Sequence, residues 1–140
     1  MSLATTPKRP EHQVGRYAIF DEIAAGGMAT VHLARLVGSG GFSRVVAAKR
    51  MHRHFLQDPK FKSMFLAEAR LAARVQHPNV VTILDLLEDD RDELIIVMEY
   101  VHGESMLALL RATHRAKQKI SVPIGCAIAA AMLEGLHAAH

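Results

Sequence analysis

The glycine-bearing turn Ile23-Ala24-Ala25-Gly26-Gly27-Met28-Ala29-Thr30-Val31 and the lysine-bearing stretch Val45-Val46-Ala47-Ala48-Lys49 frame the fold of this chain. Lys49 closes an apolar run of strand character, where an unpaired ammonium is expensive to desolvate. It asks for an acidic partner. Asp58 as N-cap and Pro59 in the first helical position signal a helix, and the pattern predicts that it carries to about Val75. Within it Phe61, Phe65, Glu68, Ala72 and Val75 recur at steps of three or four, which puts Glu68 in the middle of the apolar face. If Lys49 and Glu68 meet, each offsets the desolvation of the other, and an ion pair is fixed beside the glycine turn. Glycines in a strand-to-strand turn let backbone N–H groups approach phosphates.

Outward from this stretch, Tyr17, Ile19 and Ile23 fall on one side of an alternating pattern, and residues 31–36 alternate likewise, giving a hairpin closed by the glycine turn. Gly38-Ser39-Gly40-Gly41 reads as a flexible hairpin connection, since no lysine or helix start follows it as a Walker loop requires. Residues 80–87 and 94–98 read as strands around the acidic turn 88–93, whose charges are expected to form a solvated tip. The total is five strands with one helix inserted after the third. Residues 104–112 and 122–139 read as helices joined by a basic stretch from Arg111 to Lys119. The first fourteen residues are rich in Pro, Thr and Lys without apolar period and are expected to be a flexible lead-in.

In that order and spacing, the glycine turn, Val46-Ala47-Ala48-Lys49, Glu68, His77-Pro78-Asn79-Val80-Val81 and Val97-Met98-Glu99-Tyr100-Val101 resemble the bacterial serine/threonine protein kinases built like their eukaryotic counterparts. The resemblance runs from about Tyr17 to the end of the chain. It implies an α+β fold: a kinase-like small lobe over residues 15–102, made of a five-stranded antiparallel sheet and one inserted helix, then the first two helices of a helical lobe over 103–140. It implies ATP as ligand and transfer of its γ-phosphoryl to protein hydroxyls in the complete protein. Lys49 would contact the α- and β-phosphates with Glu68 holding its side chain. Gly26 and Gly27 would let the backbone close on the phosphates, and Val31 and Ala47 would pack on the adenine. Met98 matches the gatekeeper, the backbones of Glu99 and Val101 match the hinge, and Ser105, or Glu104 beside it, lies where a polar group often meets the ribose.

The sequence departs from the family pattern at Ala24 and Ala29, which stand where the first and third loop glycines are usual. Each methyl narrows backbone freedom near the phosphates, so weaker binding or an altered loop pose is expected. No His-Arg-Asp catalytic loop and no Asp-Phe-Gly metal site occur in these 140 residues. The magnesium ligands are therefore expected only in a following part of the protein, and the 140 residues alone are expected not to catalyse. His77-Pro78-Asn79-Val80 is expected to be a structural turn ending the helix.

With 50% hydrophobic and 22% charged residues the composition is that of a globular domain. The net charge is +3 and the pI about 9.3, but the basic residues are spread along the chain and Trp is absent. Both features argue against a nucleic-acid surface. Cys126 has apolar neighbours and is expected to be a small buried side chain in a reducing, cytoplasmic setting. The apolar run 124–133 is shorter than a bilayer span, so no membrane contact is expected from this segment. His52 with His54, and His137 with His140, lack a third obvious ligand, so no metal is expected. Leu107, Leu110, Ile124, Ile128, Met132, Leu133 and Leu136 are expected to form an exposed apolar patch, so that the isolated segment self-associates or is only partly folded over roughly its last forty residues. The main alternative is a pseudokinase or interaction scaffold, suggested by the two missing glycines. Its partners would be proteins rather than a turned-over nucleotide.

Overall fold

The computed structural model describes residues 9–89 and 92–140. The first eight residues of the expected lead-in, and Asp90 and Arg91 of the acidic turn, lie outside them. The chain forms two compact units: the part up to Arg74 together with Thr82–Tyr100, and Val75–Val81 together with Val101–His140.

The first unit is an antiparallel sheet of six strands, β1 (His12–Val14), β2 (Tyr17–Ala25), β3 (Ala29–Val37), β4 (Ser43–Met51), β5 (Ile83–Glu88) and β6 (Leu94–Glu99), in the order β1-β2-β3-β4-β6-β5. One turn of helix, α1 (Arg53–Leu56), and the longer α2 (Pro59–Ala72) follow β4. The sequence leads to five of these strands. The sixth, β1, forms at the end of the lead-in, where His12, Gln13 and Val14 pair with Ile19, Ala18 and Tyr17. Three residues with one buried valine are too short to show a period.

Two apolar clusters occupy the two faces of the sheet. On one face Ile19, Ala34, Val46, Ala48, Ile95 and Val97 are buried with Val14 and Tyr17. On the other, Ala29, Met51, Leu94 and Ile96 are buried together with Phe65 and Ala69 of α2. The sheet rolls so that its opposite edges meet. The Tyr17 hydroxyl donates to Asp85 Oδ2 of β5 at 2.9 Å, and His12 Nε2 of β1 lies 3.1 Å from Asp89 Oδ2 just beyond β5. Burial pushes the Tyr17 phenol up, and the hydrogen bond to Asp85 adds to the effect.

Several expectations shift for local reasons. Ile23 is exposed rather than inward, because the pairing of β2 with β3 slips twice: Ile19 opposes Ala34, Glu22 opposes His32 and Ala24 opposes Val31. Each extra residue on β2 is a bulge that turns the following side chains over. Helix α2 starts as read, with Asp58 accepting from the Lys60 N–H at 2.9 Å, but ends at Ala72, short of Val75. Its buried side is centred on Phe65 and Ala69. Glu68 therefore sits at the margin of the apolar face, with 62% of its side chain exposed.

The acidic turn is also different from a solvated tip. Glu93 is buried, with 5% of its side chain exposed. It accepts from Arg50 of β4 and from Arg53 Nε of α1 at 2.8 Å, while Asp89 Oδ1 accepts from the Glu93 N–H at 2.9 Å.

In the second unit, α3 (Met106–Arg115) starts at Ser105, whose Oγ accepts from the Ala108 N–H at 3.1 Å. Helix α4 (Val122–Ala139) carries five of the residues expected to form an apolar patch, and α3 the other two. Ile124, Met132, Leu133 and Leu136 are exposed, as are Leu107 and Leu110 of α3, while Ile128 is half-buried. Cys126 is exposed rather than buried, since it lies on the same uncovered helix. Formed as one helix, this segment is longer than the apolar run 124–133: by length and composition alone its 18 residues, at a mean hydropathy of 1.5, are enough to cross a membrane. The 75–81 turn is fastened to α4 by Asn79, whose Nδ2 donates to the Ala131 carbonyl at 3.0 Å and to Glu134 Oε2 at 3.2 Å. Gly135 permits that approach, because a Cβ there would lie 2.9 Å from the Asn79 carbonyl oxygen.

Burial alone would raise the Glu93 carboxyl, but the hydrogen bonds from Arg50 and Arg53 outweigh it and hold the group below the ordinary carboxylate value. Such a group contributes stability that is complete above the ordinary value and is lost as pH falls through the folded-state value. Glu93→Gln is expected to lower stability near pH 7 by about 2 kcal/mol in urea unfolding, and to flatten the fall in stability below about pH 4.5. Parallel pH profiles for the two proteins would contradict this role.

Candidate functional site

The turn between β2 and β3 is closed by the Gly26 N–H donating to the Ala29 carbonyl at 2.8 Å. Among the described residues, the N–H groups of Gly27 and Met28 have no hydrogen-bond partner. Neither Gly26 nor Gly27 has a positive φ, and a Cβ would meet nothing at Gly27 and make only an ordinary contact at Gly26. The resting turn thus does not itself require glycine.

Strand register carries this turn to the lysine. Ala24 opposes Val31, Val31 opposes Lys49, and Lys49 opposes Ile96, so the four lie in one row across β2, β3, β4 and β6. Two residues along, Leu33, Ala47 and Met98 form the next row. Residues two apart on a strand share a face. The predicted adenine-packing pair, Val31 and Ala47, accordingly lie on the Lys49 face.

Lys49 Nζ donates to Glu68 Oε1 at 2.8 Å and lies 5.7 Å from the centroid of the Phe65 ring. The partner that the lysine demanded is the glutamate that the helix pattern singled out. The pair is less buried than the sequence suggests, with side-chain exposures of 29% for Lys49 and 62% for Glu68. Met98 and Glu99 end β6, and the Glu99 N–H donates to the Thr82 carbonyl at 3.0 Å. A ligand contact at Glu99 therefore falls to its carbonyl. Val101 and Ser105 belong to the second unit, where the Ser105 oxygen caps α3.

Ala29, at the third glycine position, is buried in the same cluster as Met51 and Phe65. Its methyl joins the turn to the core beneath α2. Sequence reasoning missed two further features of this region. His52 Nε2 lies 3.2 Å from the Gly26 carbonyl oxygen, and Arg50 and Arg53 close on Glu93. A histidine in an irregular link between strand and helix leaves no periodic signal. The ring that was weighed as a metal ligand stacks instead on His54, with centroids 5.6 Å apart and an interplanar angle of 11°. Among the described residues no group of three or more His, Cys, Asp or Glu side chains could hold a metal ion.

A rolled small sheet with one long helix, joined by a lysine-to-carboxylate bridge one strand from a glycine turn, defines a kinase-like small lobe. The protein kinase domain family matches residues 17–140, and the chain belongs to the protein kinase family. Over 126 residues it is 40% identical to the tyrosine-protein kinase MasK of Myxococcus xanthus, covering 90% of this chain and 19% of that protein. Over 129 residues it is 34% identical to the serine/threonine-protein kinase PksC of Streptomyces coelicolor, covering 90% of this chain and 23% of that one. The crystal structure of a cysteine-to-alanine mutant of the Mycobacterium tuberculosis PknI kinase domain superposes with a TM-score of 0.70 at 28% identity, covering 100% of this chain and 52% of that chain. The chain thus spans about a fifth of the length of the curated relatives it matches. The family match runs through α4, which accounts for an apolar helix within a kinase domain.

Because the bridge is largely solvated, Glu68→Gln is expected to change stability by less than about 1 kcal/mol. Phe65→Ala, at a buried position of the same helix, is expected to cost about 3 kcal/mol. Thermal or urea unfolding of the two variants checks the contrast. A larger loss for Glu68→Gln would contradict it.

Proposed function

We propose that these residues form the ATP-binding part of a protein serine/threonine kinase, which in the complete protein transfers the γ-phosphoryl of Mg-ATP to protein hydroxyls. The observation that carries this reading is the formed bridge between Lys49 and Glu68, one strand away from a turn with unpartnered Gly27 and Met28 N–H groups. An anion facing those amides would find fixed donors and one cation. In the proposed site Gly26, Gly27 and Ala24 line the phosphates, Val31, Ala47 and Met98 face the base, and the Glu99 carbonyl meets the adenine edge. Val101 and Ser105 enter through the family resemblance alone.

Magnesium would be held outside these 140 residues, since the family's Asp-Phe-Gly and catalytic-loop asparagine are not among them. The segment by itself would then bind nucleotide without turning it over. Relatives named as serine/threonine kinases support that acceptor class. The name of MasK makes tyrosine the competing outcome of a phosphoamino-acid analysis on the full protein. An ATP-using enzyme with one unpaired cysteine suits the cytoplasm.

A second reading, a scaffold that binds nucleotide poorly, draws on the buried methyl of Ala29, which ties the turn to the core and limits its freedom to close. Calorimetric titration with Mg-ATP separates the two. The kinase reading expects saturable binding that Lys49→Met weakens by about tenfold or more, which is about 1.4 kcal/mol. No binding by the unsubstituted chain would favour the scaffold.

A further inference from the structure

The carbonyl of Gly26 is held by a side chain that no strand or helix pattern calls for. His52 Nε2 lies 3.2 Å from that oxygen, and the His52 backbone N–H donates to the Met28 carbonyl at 3.0 Å. A carbonyl oxygen only accepts, so Nε2 carries the hydrogen in this contact. The ring is steadied in turn by stacking on His54, whose own ring lies against Phe55 at 4.1 Å between centroids. Both bonds start from one residue at the junction of β4 and α1, three positions beyond Lys49.

Peptide geometry gives the contact its consequence. In a trans peptide the C=O of one residue and the N–H of the next lie in one plane and point in opposite directions. Fixing the Gly26 carbonyl therefore fixes the direction of the Gly27 N–H, one of the unpartnered donors of the turn. The Met28 carbonyl, held by the His52 N–H, orients the Ala29 N–H in the same way. Without these bonds the Gly26-Gly27 step is held only by the Gly26 N–H bond to the Ala29 carbonyl, and with no side chain its backbone has wide conformational freedom.

We propose that His52 is a positioning residue for phosphate binding: by holding the Gly26 carbonyl it aims the Gly27 N–H before the ligand arrives. The proposal rests on the nucleotide-binding reading above, although its first readout does not. In this role His52 substitutes for backbone order in a turn whose tip carries two adjacent glycines. It acts from the same strand end that presents Lys49, so the amide donors and the ammonium keep a fixed relation.

The test compares the unsubstituted chain with His52→Ala and His52→Gln, the latter retaining a side-chain N–H donor. Backbone 15N order parameters at Gly26, Gly27 and Met28 are expected to fall in His52→Ala and to recover in His52→Gln, without nucleotide present. Affinity for Mg-ATP is expected to drop by about two- to tenfold in His52→Ala, the range of one net hydrogen bond. Affinity for adenosine, which has no phosphate, is expected to stay the same. Unchanged order parameters in His52→Ala overturn the proposal whether or not nucleotide binds. A parallel loss of adenosine and Mg-ATP affinity also overturns it, because the histidine would then support the fold rather than aim a donor. Failure of the unsubstituted chain to bind Mg-ATP, with order parameters behaving as expected, overturns the phosphate role and the nucleotide reading together while leaving the peptide latch.

Discussion

Lys49 is an ammonium on a strand that cannot move out of the way. β4 is hydrogen-bonded to β3 on one side and to β6 on the other, and Ala48 and Met51 beside it are buried. Shifting the lysine would break two ladders, and leaving it unpaired would strand a charge at the edge of an apolar cluster. The element that adapts is α2, which presents Glu68 from its margin while Phe65 and Ala69 anchor it to the sheet. Packing and charge thus come from different side chains of one helix. Since the pair is largely solvated, it adds little to stability. Its value lies in holding the ammonium in one place.

The same division runs through the rest of the first unit. Polar side chains tie the sheet where it rolls on itself, with Tyr17 bound to Asp85 and His12 beside Asp89, and Glu93 is closed between Arg50 and Arg53 at the far end of β4. Tyr17, Asp85 and His12 lie in other rows of the sheet than Ala24, Val31 and Lys49, whereas Arg50 follows Lys49 on β4 and takes the opposite face. The glycine turn, by contrast, is fastened by few bonds: one across the turn, and two from His52. Those three bonds set the pose of the turn, while the strands behind it are held by full ladders. Ala29 is the exception, being built into the core, and it makes the β3 side of the turn stiffer than the β2 side.

Much of this was legible in the sequence because it depends on strong local signals. The cap formed by Asp58 and Pro59, the strand character before Lys49 and the need of each charge for a partner all act over short distances or through large energies. What the sequence hid depends on tertiary closure. Strand β1 is three residues long and forms because an edge of β2 is there to receive it. The bulges that turn Ile23 outward come from a mismatch of two strands, which neither strand reveals by itself. Glu93 reads as one more acid in a polar turn until Arg50 and Arg53, about forty residues earlier, fold against it. Of the expected site, the first unit brings together the glycine turn, Val31, Ala47, Lys49, Glu68 and Met98 on a common framework of register and packing. Ser105 was read as a polar group near a ligand, yet its oxygen is a helix cap, a use open to any serine at the start of an apolar helix.

The central claim is that the glycine turn and the bridge between Lys49 and Glu68 form one phosphate-binding surface. A 1H–15N titration of the chain with Mg-ATP, following backbone amides and the Lys49 ammonium, tests it most directly. The account predicts that the largest saturable shifts fall on Gly26, Gly27, Met28 and Lys49, with His12, Tyr17 and Asp89 at the rolled edge unmoved. Saturable binding that leaves the Gly27 amide and Lys49 unperturbed would contradict it.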